Sequence, residues 1–122
     1  MPTLLGWIST GKGSWAEMNQ LVLGSSWDKV ILLTGTFGKE NFSPAANTEL
    51  LEVDVNLETS ALVQVIKKVL TGKISGFEVA LNFCSGSGKE HMALLEAVIE
   101  LGFNFRLVTV KNNRMVILGL EN

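Results

Sequence analysis

Two short stretches concentrate the residue types that hold anions. Ser9-Thr10-Gly11-Lys12-Gly13-Ser14 and Cys84-Ser85-Gly86-Ser87-Gly88-Lys89 each combine glycine, hydroxyl side chains and one lysine. Glycine lets backbone amides approach a phosphate, hydroxyls add donors, and lysine supplies a compensating charge. Each stretch runs into a helix start, where unpaired amides and the positive end of the helix dipole favour an anion. Gly/Ser stretches are also ordinary strand-to-helix turns, so the chemistry depends on the fold setting the two side by side.

Several sharper readings fail on spacing. A P-loop would need glycine where Phe83 stands and Ser or Thr where Glu90 stands. Gly11-Lys12-Gly13 does not have the GxGxxG spacing of a dinucleotide site, and the second strand ends in Thr34-Gly35-Thr36 instead of a ribose-binding acid. Thr36 is counted among the ligand-contacting candidates. His91 is the only histidine, which excludes a multi-histidine metal site. It is read as a packing residue beside the second stretch before a general acid or base, and it too is counted as a ligand contact. Cys84 reads as a small apolar filler, and the three tryptophans as core or interface residues. Glu52 and Asp54 are two isolated carboxylates, a weak metal signal. No metal and no cofactor are expected.

The elements that must position these stretches follow from hydrophobic periodicity. Strands are predicted over Thr3 to Ser9, Lys29 to Thr34, Leu50 to Val55 and Phe77 to Phe83, then Phe105 to Val110 and Met115 to Leu120 on either side of Asn112-Asn113. Asparagine tolerates positive φ, so that pair predicts a tight hairpin. Helices are predicted over Ser14 to Leu23, Glu58 to Leu70 and Lys89 to Leu101. Ser14 with Glu17, and Ser87 with Glu90, have capping-box spacing. Gly35 to Thr48 reads as the longest irregular segment.

The resulting order, β-α-β-β-α-β-α-β-β, points to one Rossmann-like α/β domain over residues 1–122. A mainly parallel sheet of order near 3-2-1-4-5-6 is expected, with helices on both faces and a C-terminal antiparallel hairpin. In such a sheet the strand order reverses between the first and fourth strands, and the two Gly/Ser stretches leave those strands. At 122 residues, 47% of them apolar, the chain suffices for one core. Ten Lys and Arg against twelve Asp and Glu give −2, which disfavours duplex nucleic acid as a partner. One cysteine fits a reducing, cytoplasmic setting. No signal peptide and no membrane partner are expected, since the longest apolar runs are strand-sized.

The segment Ala80-Leu81-Asn82-Phe83-Cys84-Ser85-Gly86-Ser87-Gly88-Lys89-Glu90-His91-Met92 resembles the CARF domains, the CRISPR-associated Rossmann folds. That family has a strand ending in Asp or Asn, a Ser/Thr-Gly turn, then Lys or Arg opening a helix. Asn82, Ser85 and Lys89 match those roles, with one extra residue between Asn82 and Ser85. The resemblance implies a homodimer that binds a cyclic oligoadenylate across its interface, as a sensor or as a metal-independent ring nuclease. It implies that Ser9 or Thr10, with Ser14, positions a phosphate and that Lys89 neutralises it. Gly11, Gly13, Gly86 and Gly88 would lend amides, and Lys12, Ser85 and Ser87 would complete the contact set. Two alternatives stay open: a Rossmann-like enzyme for a mononucleotide or other small phosphate ligand, and a regulatory subunit whose loops bind nothing.

Overall fold

The computed structural model describes residues 1–120. Its elements are β1 (Thr3–Ile8), α1 (Trp15–Leu23), β2 (Val30–Thr34), α2 (Thr36–Asn41), β3 (Thr48–Glu52), α3 (Thr59–Leu70), β4 (Glu78–Leu81), α4 (Gly88–Glu100), β5 (Asn104–Lys111) and β6 (Arg114–Ile117). A 3-10 turn over Lys12–Ser14 leads into α1. One six-stranded sheet runs in the order β3-β2-β1-β4-β5-β6. All its pairings are parallel except β5 with β6. The expected α/β architecture is present, and no helix among the described residues is long and apolar enough to cross a membrane.

Side-chain alternation explains why β1 and β2 are apolar throughout. Every residue of both strands is buried, because helices cover both faces. Leu5, Trp7, Ile31 and Leu33 face α3 and α4, packing with Leu62, Ile66, Leu94 and Val98. Leu4, Ile8, Val30 and Leu32 face the other way, against Met18 and Leu21 of α1 and Phe42 after α2. Lys67 reaches Glu100 at 2.8 Å and ties α3 to α4. On β3, Lys73 and Lys29 both reach Glu49, at 2.7 and 2.9 Å, and hold its carboxyl below the usual glutamate range. The hairpin is closed by Asn112 and Asn113 at φ 54° and 60°, the geometry that a two-residue turn between twisted strands requires.

Three expectations need correction. Gly35 to Thr48 is not irregular throughout, since Thr36–Asn41 forms α2. The order is therefore β-α-β-α-β-α-β-α-β-β, and β3 begins at Thr48, earlier than expected, and ends at Glu52. The two capping boxes also part company. Ser87 is extended (φ −94°, ψ 168°), so its hydroxyl caps Glu90 N–H while the Glu90 carboxylate accepts from Ser87 N–H. Ser14 already has helical angles (φ −86°, ψ −9°) and makes no cap; its hydroxyl donates to Gly11 O at 3.1 Å. A cap needs non-helical backbone to aim its oxygen at the first turn, and the preceding 3-10 turn removes it.

Candidate functional site

The chain leaves β1 at Ser9 and β4 at Asn82, and the two Gly/Ser stretches meet there. Ser9 N–H donates to Ser85 Oγ at 2.8 Å, and the Ser85 hydroxyl donates to Ser9 Oγ at 3.0 Å. Ser9 Oγ also accepts from Gly11 N–H at 3.2 Å, and Ser9 O accepts from the Trp15 indole at 2.9 Å. Ser85 is buried, so these bonds lock the roots of both stretches together. Gly86 sits at φ 105°, which L side chains rarely adopt. A Cβ there would crowd Trp7, Glu90 and His91 at 3.2–3.3 Å. Thr10, Gly11, Lys12, Gly13, Ser87 and Gly88 lie exposed beyond this junction, and Ser14 is half-buried.

Beneath the junction, Asn82 is buried and fully used. Its Nδ2 donates to Val108 O at 2.8 Å, its Oδ1 accepts from Cys84 N–H at 2.9 Å, and its own N–H pairs with Leu5 O at 3.1 Å. It bridges β4 to β5 where β4 stops. Cys84 behaves as a filler, its thiol pushed up to about 12 by burial first and the Glu17 carboxylate second. A thiol held neutral is a poor nucleophile. The folded protein is therefore expected to resist alkylation by iodoacetamide at neutral pH, and urea-unfolded protein to react fully. Rapid labelling of native protein would contradict this environment.

Two further chemical candidates, Lys89 at the end of the second stretch and His91 beside it, are drawn into structural roles. His91 stacks on Phe83 with ring centroids 4.8 Å apart, and its Nε2 lies 2.8 Å from Ser85 O. A carbonyl only accepts, which places a proton on Nε2. The Lys89 ammonium donates to Val55 O and Leu57 O, both at 2.8 Å. It pins the β3–α3 connection to the start of α4, a charge-assisted tie of the stronger kind.

That connection forms one wall of a cleft of about 690 Å³. Ser9 and Thr10 line it from β1, Gly35 to Gly38 from the start of α2, and Glu52 to Asn56 from the end of β3, with Glu90 at one side. Thr36 donates to Glu52 Oε2 at 3.0 Å, and Asp54 Oδ1 accepts from Asn56 N–H at 3.0 Å. Lys12 lies over the rings of Trp15 and Phe37, 5.8 and 5.6 Å from their centroids, at the edge of this cleft. The cleft thus opens above β1, β2 and β3, on the far side of β1 from the junction with β4.

Of the sequence-predicted residues, Ser9, Thr10 and Thr36 line the cleft, Ser9 and Ser85 form the junction, and the exposed glycines with Ser87 flank it. Lys89 and His91 are adjacent but engaged elsewhere. Phe37, Gly38, Val55 and Asn56 were not anticipated. Glu52 and Asp54 stand out in the sequence only as carboxylates near a strand end, and their value here is as hydrogen-bond acceptors. No protein-family model matches the sequence, and no curated protein is detectably similar to it.

Proposed function

We propose that the chain binds a cyclic oligoadenylate across a homodimer, with the two Gly/Ser stretches holding phosphates. The observation that carries this reading is the Ser9–Ser85 hydrogen-bonded pair, which sets both stretches side by side above β1 and β4. With the Ser87 and Glu90 amides taken by the capping box and the Gly11 amide by Ser9 Oγ, a phosphate at the positive end of this 13-residue helix would meet the amides of Gly88 and Lys89. Carboxylates in the neighbouring cleft suit ribose hydroxyls and an exocyclic amine as acceptors, so a nucleotide unit finds complementary groups on both sides of β1. Lys89 serves this reading as a positioning residue: it fixes the β3–α3 wall against α4.

Cleavage, where it occurs, follows from the same placement. The ligand's 2′ oxygen bonds to the neighbouring phosphorus as the 5′ oxygen leaves, and the 2′ proton passes through solvent to the leaving oxygen. Amides directed at the phosphate would stabilise the developing charge. No side chain among the described residues is poised as base, so turnover is expected to be slow.

Titration calorimetry with cyclic tetra- and hexa-adenylate tests the binding claim, followed by chromatography of the incubated ligand. Heat with one ring is expected, with at least a tenfold loss of affinity in Lys89→Ala. Heat with neither ring overturns the proposal. A second reading is favoured by the cleft itself, whose volume holds a mononucleotide without a partner chain. Binding of AMP by monomeric protein, at higher affinity than either ring, would decide for it.

A further inference from the structure

Strands β5 and β6 are covered by a helix on one side only. There Val108, Val110, Met115 and Ile117 join the core under α1. The register sets out a different row on the other side. Paired residues of neighbouring strands share a face, so Phe105 and Leu107 lie on the side of Val79 and Leu81, which face α4. Val116 stands opposite Thr109 and Arg114 opposite Lys111, and Leu118 N–H reaches Leu107 O at 2.9 Å, which carries the same side onto β6. Phe105, Leu107 and Leu118 are 38%, 37% and 41% exposed, and no helix among the described residues buries them.

This open lane has the dimensions of one helix. Two strands about 4.8 Å apart make it roughly 10 Å wide, the diameter of an α-helix with its side chains. From Phe105 to Lys111 it runs about 20 Å, the length of a helix of about 13 residues. Its floor is apolar at the Phe105 end and cationic at the hairpin end, where Arg114 and Lys111 face each other. Leu107, Thr109 and Leu118 also line a hollow of about 250 Å³ that begins where β4 stops at Leu81. The carboxylates of α4 stay out of the lane: Glu96 and Glu100 turn to the α3 side, where they line a groove with Ser60 and Val63.

We infer that this lane seats an acidic amphipathic helix of a partner protein. Dimensions select a helix, because mainly parallel sheets bury both faces under helices and the open strip is one helix wide. The described helices are not the occupant: α1, α3 and α4 already turn their buried residues to the sheet, and α2 has only six residues. Charge selects the acidic kind. A helix that lays an apolar stripe on Phe105, Leu107 and Leu118 brings one end to Arg114, where carboxylates accept charge-assisted bonds from the guanidinium. A basic helix meets like charge at the same place. One large apolar side chain of the stripe enters the hollow beside Leu107, as anchors of such interfaces do. The inference does not rest on the nucleotide reading of the cleft.

Fluorescence anisotropy tests it with a labelled synthetic peptide of about 18 residues, long enough to hold a helix. Leucines at i, i+3, i+4 and i+7 form its stripe, and glutamates flank them; a second peptide carries lysine for every glutamate. The wild type is expected to bind the glutamate peptide saturably, with Kd below about 100 μM, and the lysine peptide at least about tenfold more weakly. Arg114→Glu should reverse that preference, a result that misfolding cannot produce. Leu118→Glu should weaken binding of the glutamate peptide at least about tenfold. Leu23→Glu, at a position 79% exposed on α1 and on the opposite side of the sheet, should leave it unchanged. No binding of the glutamate peptide, or a preference that survives Arg114→Glu, overturns the inference. So does co-sedimentation with phosphatidylcholine–phosphatidylserine vesicles that Arg114→Glu abolishes, which would give the lane to a membrane surface. A dimer in light scattering that Leu118→Glu dissociates overturns it as well, in favour of a second copy of the chain.

Discussion

Gly38→Ala is expected to cost about 2–4 kcal/mol of stability and to collapse the cleft, a large effect for one methyl group. The new Cβ would overlap the Thr34 hydroxyl and press on Ile8 Cγ2. Thr34 is buried, and its hydroxyl donates to Ile8 O at 2.8 Å. Turning it aside would leave that carbonyl unpaired, and keeping it would force α2 off the sheet; overpacking and a lost buried hydrogen bond each cost on the order of 1–3 kcal/mol. Either way Thr36 and Phe37 lose their place on the cleft wall. Gly6→Ala is the internal comparison. There the added Cβ would meet Met18 Cε at 2.7 Å, the far end of a flexible side chain, so a cost below about 1 kcal/mol is expected. Urea unfolding of both variants measures the difference, and equal midpoints would contradict it.

Asn82→Ala is expected to destabilise by about 2–4 kcal/mol, because it strands two backbone groups at once, the buried Val108 O and the half-buried Cys84 N–H. Asn82→Asp separates the two bonds. An aspartate still accepts from Cys84 N–H, but its second oxygen then faces the Val108 carbonyl. Burial and that carbonyl both disfavour the charged form, so the folded-state value of this Asp lies above its unfolded value. The protonated acid can donate to Val108 O, so the variant should be closest to wild type below the unfolded value of about 3.9. Its stability should then fall as pH rises through the folded value. Thermal melts across acid to neutral pH check the sign. A variant equally stable at both ends would mean that Asn82 does not bridge β4 and β5.

Much of the sheet was legible in the sequence because burial on both faces leaves an unbroken apolar record, as in Val30 to Leu33. The Ala61-to-Leu70 stripe likewise announces α3. Helix α2 leaves no such record. Six residues are too few to show a period, and Gly38 argues against a helix on propensity alone. Tertiary structure overrides that preference, since only glycine fits against Thr34. The Gly/Ser stretches were readable as a pair because each leaves a central strand. The cleft was not, since its walls come from residues near 9, 36 and 54, which nothing local connects. Lys89 shows a further limit. Spacing places a lysine at the start of α4, but only the packed β3–α3 connection shows that its charge turns toward two carbonyls.

The Ser9–Ser85 bond spans 76 residues of chain. Strand β1, synthesised first, lies in the middle of the sheet and completes its pairing only when β4 arrives. Contacts this distant in sequence form late, since the entropy of closing the intervening chain opposes them until much of the fold is in place. The Ser9–Ser85 junction therefore assembles late, since a nascent chain that ends before Ser85 cannot form it. A ligand that required this junction would accordingly report a finished fold.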